Sequence, residues 1–251
     1  MRLRGFYCTI AVLATAVAYM SACSVDHELH LRADGTGSGE LRVKIDPVVV
    51  SYVQSLASAF GNPDGTAIDL FDVEAIRNGI DARAGLETVS IERIGVGSLD
   101  VAYRITNFED AVGELATVAR FQNTGVADES ARRRNESLIS FEINRATFLI
   151  LSRLFLSEDS PAAVFVPVVE TDFLLESEYR ELVSYAFGDF LAERSVDSLL
   201  SDSRARVTVS TDGTIEEVVG GTIEANGASF DLAVLDLLTL EEPVTMSISW
   251  R

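Results

Sequence analysis

Polar and apolar residues alternate strictly in several short runs of this chain, and a period of two predicts β-strands. In the first run His27, Leu29, Leu31 and Ala33 share one face, with Glu28, His30 and Arg32 on the other. Asp34-Gly35 with the glycines at 37 and 39 predicts a turn, after which Leu41, Val43 and Ile45 point inward between Arg42 and Lys44. Together the two runs predict a β-hairpin. Asp46-Pro47 then reads as the cap and first residue of a helix that runs to Phe60 and stops at Gly61. Asn62-Pro63-Asp64-Gly65 is a predicted turn, and a second helix is expected over 70–83, ended by Gly85.

Alternation returns at Val89 and Ile91, turns at Gly95–Gly97, and continues through Leu99, Val101, Tyr103 and Ile105. Asn107 has the chemistry of a helix cap, with a helix expected over 109–119. The polar stretch 122–136, with Arg132, Arg133 and Arg134, reads as a loop; Ile139, Phe141 and Ile143 mark another strand. Between 146 and 156 the chain is apolar nearly all round, and from Phe173 to Leu191 large apolar residues recur at helical spacing. The last fifty residues revert to short strands: one around Val207 and Val209, others near 214–219, 222–225 and 228–232 with an Asn226-Gly227 turn, and a final one with Val244, Met246, Ile248 and Trp250 on one face. Hairpins mixed with separate helices predict an α+β fold, an antiparallel sheet of several hairpins with helices packed on one face.

Composition sharpens this picture in two ways. Hydrophobic residues make up 47% of the chain, enough to exclude disorder as its overall state. Acidic residues number 39 against 20 basic ones, for a formal net charge of −19. Such an acidic surface disfavours nucleic acid and anionic headgroups as general partners.

The first 22 residues belong to a different pattern. Arg2 and Arg4 precede an apolar stretch from Ile10 to Met20, followed by Ser21-Ala22-Cys23. A charged start, a short apolar core and small residues before a cut are the marks of an export signal, too short for a stable membrane span. The cysteine placed directly after the small residues resembles the lipobox of bacterial lipoproteins. That resemblance implies cleavage before Cys23, diacylation of its thiol, and acylation of the new amino terminus by a chain such as palmitate. Residues 1–22 are thus expected to be a signal helix that is removed, and 23–251 a single α+β extracytoplasmic domain. Loss of Arg2 and Arg4 would take the formal charge from −19 to −21. The other cysteine, Cys8, lies in the signal, so the mature chain would have no internal disulfide. Ser24 stands where some bacteria read an aspartate as an inner-membrane signal, so the outer membrane is the expected location.

The order of elements carries a second resemblance. An acylatable cysteine, a short strand, the turn Asp34-Gly35-Thr36-Gly37-Ser38-Gly39-Glu40, a strand and a helix open the mature chain. An Asn226-Gly227 turn, a strand beginning Ser229-Phe230 and a last strand ending in Trp250 close it. This resembles the LppM-domain group of envelope lipoproteins, in which such hairpins bracket an α+β domain thought to handle envelope lipids. The resemblance covers the two ends and not residues 60–200. Members commonly carry a C-terminal membrane helix, which this sequence lacks, so the lipid on Cys23 is the expected anchor.

Motifs for catalysis are missing from the sequence. Its two histidines, His27 and His30, are three apart on one strand and face opposite sides, so they cannot share a metal ion. One is expected to be packed and the other solvent-facing. Glycines 35, 37 and 39 do not form a phosphate-binding motif. The acids Asp231, Asp236, Glu241 and Glu242 lack the alternating oxygen ligands of a calcium loop and read as a solvated face. No catalytic residue, metal or cofactor is expected. The function expected is that of a non-enzymatic, membrane-anchored envelope lipoprotein that binds an apolar or lipid ligand, or a partner protein, at the membrane surface. Phe148, Phe155, Tyr179, Phe187 and Phe190 are the candidate lining of an apolar pocket, with Arg132, Arg133 and Arg134 as the headgroup contact. The alternative is an enzyme acting on cell-wall glycan through two carboxylates.

Overall fold

A computed structural model of the protein describes residues 23–59, 70–112, 119–125, 135–149, 167, 169–225 and 227–251. Residues 1–22, expected to be a signal, lie outside the described residues, as do Phe155 and Arg132–Arg134. The fold is α+β, dominated by antiparallel pairing. Its larger sheet has seven strands: β1 (Cys23–Leu31), β2 (Gly37–Ile45), β3 (Leu86–Gly95), β4 (Ser98–Ile105), β7 (Arg204–Thr211), β9 (Thr222–Glu224) and β10 (Gly227–Ala233), in the order β3-β4-β2-β1-β7-β10-β9. Every pairing in it is antiparallel except the central one, where β1 and β7 run parallel from Ser24↔Arg204 to Leu31↔Thr211. Two antiparallel halves thus meet at a parallel seam between β1, near the start of the described chain, and β7, some 180 residues later.

The first hairpin starts earlier than the alternation predicts. Strand β2 begins at Gly37, and its inward positions are Gly37, Gly39, Leu41, Val43 and Ile45. Gly37 and Gly39 are therefore strand residues, while the turn is confined to 32–36 and Ala33 is exposed in it. A Cβ at Gly39 would lie 2.1 Å from Cζ of Tyr103 and 2.3 Å from its oxygen. Glycine is required there because the tyrosine ring lies where a side chain would be.

The smaller sheet, in the order β5-β6-β11-β8, contains β5 (Ala119–Gly125), β6 (Asn135–Ile143), β8 (Ile215–Val219) and β11 (Val244–Trp250). Strand β5 occupies residues assigned above to a helix end and a loop, and it pairs with β6 from Ala119↔Phe141 to Gly125↔Asn135. Between β8 and β9 the chain crosses from one sheet to the other at Gly220, which has φ +75; a Cβ there would meet the Thr245 carbonyl oxygen at 2.2 Å.

The helices are α1 (Pro47–Ala59), α2 (Val73–Asp81), α3 (Phe108–Val112), α4 (Glu176–Phe187), α5 (Val196–Asp202) and α6 (Val234–Thr239), with a further helical stretch over 145–149. The predicted caps are present: Asp46 Oδ1 accepts from the Val48 amide at 2.9 Å, and Asn107 Oδ1 from that of Asp110 at 3.3 Å. Arg194 ties α1 to α5, donating to Asp46 at 2.7 Å and Asp202 at 3.0 Å. Apolar side chains from both sheets and from all six helices meet in one core cluster, with Phe187, Phe230 and Trp250 each 1% exposed. Among the described residues no helix is long and apolar enough to cross a membrane.

Candidate functional site

The aromatic residues singled out in the sequence are placed within the core. Phe148, Tyr179 and Phe187 are buried, and Phe190 is half-buried against them. Tyr52 of α1 packs edge-on to both Phe187 and Phe190, with centroids 5.0 and 5.7 Å apart. Phe148 packs in the same way on Phe173 at 5.8 Å, and the Arg145 guanidinium lies 5.1 Å from the Phe173 ring centre. These are the edge-to-face distances of well-packed aromatic pairs.

The two histidines of β1 fall on opposite faces, as the strand period requires. His27 faces the core, where Nε2 lies 2.6 Å from the Tyr103 hydroxyl. That bond spans β2, because Tyr103 on β4 is paired with Gly39, which has no side chain to obstruct the ring. Burial disfavours the charged imidazolium and pushes the His27 pKa down to about 4. The neutral ring shares one hydrogen bond with the tyrosine hydroxyl, whose donor is set by the imidazole tautomer.

His30 lies on the opposite, outer face. Its Nδ1 is 3.0 Å from Oγ of Ser210, its direct partner on β7, and its Nε2 is 3.1 Å from Oδ1 of Asp212. Arg32 Nε approaches the other Asp212 oxygen at 3.7 Å. Both ring nitrogens are thus engaged, and the imidazole is fixed across the parallel seam. Around it a groove of about 350 Å³ opens on this face, lined by Glu28 and His30 of β1, Ser38 and Glu40 of β2, Thr208 and Ser210 of β7, and Glu224, Ala225 and Gly227 where β9 passes into β10.

Sheet register explains why these residues converge. Glu28 is paired with Glu40 on one side and Thr208 on the other; His30 is paired with Ser38 and Ser210. Arg42, one pleat further along β2, donates to Glu28 at 3.0 Å and to Glu40 at 3.2 Å, tying the two carboxylates together. The alternation of β1 already places Glu28 and His30 on the polar face; Ser38 and Glu40 join them because β2 begins at Gly37. The contribution of Thr208, Ser210 and Asp212 has no local signal, because it depends on a pairing across 180 residues. Hydroxyls, carboxylates and an oriented imidazole together make a surface that hydrogen-bonds polar groups in both directions. Among the described residues no cluster of His, Cys, Asp and Glu could hold a metal ion.

No family model matches the chain, and no curated protein matches it. Among solved structures it is similar to the NMR structure of the folded domain of the LppM protein of Mycobacterium tuberculosis. The two are 11% identical over 92% of this chain and 90% of that one, with a TM-score of 0.38. At that TM-score the overlap is too loose to carry fold or function across.

Proposed function

We propose that this protein is a lipid-anchored component of a bacterial envelope that binds rather than catalyses, with the groove over His30 as its binding site. The observation carrying this reading is the direction of β1. Cys23 is the first residue of the strand and His30 is near its last, so the groove lies about 20 Å from the anchored end at the usual rise per strand residue. A chain acylated at Cys23 would hold the groove away from the bilayer and open to the envelope space. Serine, threonine and glutamate side chains suit the hydroxyl-rich part of an envelope lipid or glycan.

Binding is favoured over catalysis by the surroundings of Ser210. Ser210, His30 and Asp212 stand in the order of a nucleophile, a base and an orienting acid, with His30 between the other two. Yet an acyl-transfer site also needs amides free to receive an oxyanion. The adjoining Val209 is paired on both sides, with Leu29 and Ala228. Glycan hydrolysis by paired carboxylates would draw on Glu28 and Glu40, which stand side by side on adjacent strands and share Arg42 instead of facing one another across a cleft.

Protein extracted from native membranes by detergent provides the test. Its mass should show cleavage before Cys23 and a diacylglyceryl group on that residue, whereas Cys23→Ser should leave an uncut precursor. A co-purifying small molecule should be hydroxyl-rich and should be lost in Glu28→Gln. Retention of a bare fatty acid that survives Glu28→Gln and disappears with Phe187→Asp would shift the site to the aromatic cluster. Normal processing of Cys23→Ser would overturn the anchor.

A further inference from the structure

The end of the large sheet that carries Cys23 has two further properties that converge on one partner. Cys23 is paired with Ile45 on β2, and the Ile45 amide donates to the Gly97 carbonyl at 2.7 Å. The β3–β4 turn therefore lies two strands from Cys23, about 10 Å away at the usual strand spacing. Val96 on that turn is 47% exposed, and Ile94, next to the end of β3, is 64% exposed. Singly, an exposed valine or isoleucine needs no explanation. Here two of them project from a tip beside the residue that carries the acyl chains. The tip is also held firmly: Gly97 lies against the first turn of α1, where a Cβ would meet Val50 at 3.0 Å.

Charge at this end departs from that of the whole chain. The outer-face row nearest Cys23 runs Ser98, Lys44, Ser24, Arg204 and Ala233 across five strands, with two bases and no acid. Lys44, the sole lysine of the sequence, is exposed there. Two nearby acids, Asp46 and Asp202, are both engaged by Arg194, and Asp231 is engaged by Arg204 at 2.6 Å. A molecule with 39 acids has thus kept unbalanced negative charge out of the row beside its anchor.

We infer that this end is a membrane-docking surface: Ile94 and Val96 insert at the lipid interface while Lys44 meets anionic headgroups, so that the sheet stands upright on the bilayer. Apolar tips combined with adjacent bases are the chemistry of interfacial binding. The occupant is fixed by position. Strand β1 begins at Cys23 itself, so acyl chains buried in the bilayer leave no tether to hold the tip in water. The inference rests on the lipoprotein reading and goes beyond it by fixing the orientation of the domain.

The test uses processed, acylated protein reconstituted in vesicles of phosphatidylethanolamine and phosphatidylglycerol. Ile94→Cys and Val96→Cys are each labelled with a polarity-sensitive fluorophore, and Ala33→Cys at the opposite end of β1 serves as the reference. Labels at 94 and 96 should shift to the blue and be quenched by chain-borne quenchers several-fold more than the label at 33. Circular dichroism and the thermal midpoint of each variant confirm that it is folded. An acylated Cys23 with equal quenching at all three positions would overturn the docking surface alone. A mass lacking the acyl group would instead overturn the lipoprotein reading on which it rests.

Discussion

A Gly39→Val chain is expected to unfold about 10 °C below wild type, with Tyr103 displaced and its bond to His27 broken. The position is an inward one in the middle of the large sheet, where valine would ordinarily be a favourable strand residue. Its partner on β4, however, places a buried ring over it, with two ring atoms and the hydroxyl oxygen within 2.6 Å of where a Cβ would stand. Tyr103 is 2% exposed and has no solvent to swing into. Forcing extra carbons into such a site costs about 1–3 kcal/mol or more, and the broken hydrogen bond adds about 1 kcal/mol. For a chain of this size each kcal/mol lowers the midpoint by about 2–4 °C. Gly39→Val combined with Tyr103→Leu should be less damaging than the sum of the two single changes, because the leucine vacates the overlap. A midpoint for Gly39→Val indistinguishable from wild type would mean that the ring has another place to go.

This glycine also marks where the sequence ceased to be legible. The alternation of β1, β2, β4 and β11 is read correctly from hydropathy because each has one face in the core. Gly37 and Gly39 carry no hydropathy signal, and their clustering with Asp34-Gly35 imitates a turn. Only the tyrosine on a strand 64 residues later gives Gly39 its reason. Strand β5 is hidden for a different cause: Arg120, Gln122 and Asn123 are polar, and the strand is specified by pairing with β6. The capping residues Asp46 and Asn107 are read correctly because a cap acts within three residues of itself.

The candidate site divides along the same line. Its β1 half follows from period two, which puts Glu28 and His30 on the polar face; Ser38 and Glu40 join them only because β2 begins at Gly37, in residues that read as a turn. Its β7 half depends on the parallel seam between β1 and β7, and no local pattern announces which distant strand will lie beside the first one. The aromatic run between 173 and 191 is the converse. Its density was legible, but its destination was not: helical spacing fits a pocket lining and a packed face equally well, and the structure places Tyr179, Phe187 and Phe190 against the core.

Acidification from pH 7 to 4 is expected to destabilise the wild-type protein more steeply than a His27→Gln variant. The imidazole has a folded-state pKa pushed down to about 4 by burial, against 6.5 for the free side chain. Between these values the unfolded chain binds a proton that the folded one does not, so stability falls as pH falls from about 6.5 towards 4 and is full above that window. A tenfold change in proton affinity is worth about 1.4 kcal/mol, so the difference between the two profiles is at most about 3 kcal/mol. The ring is part-buried, which places the measured value below that ceiling. Glutamine keeps a polar group near the Tyr103 hydroxyl without a proton to gain. It should lower the midpoint at pH 7 through lost packing and flatten the slope below it. The 39 carboxylates titrate in both proteins and drop out of the difference. Parallel profiles for the two chains across this window would show that His27 can take up its proton within the folded sheet, and that the bond to Tyr103 tolerates the imidazolium.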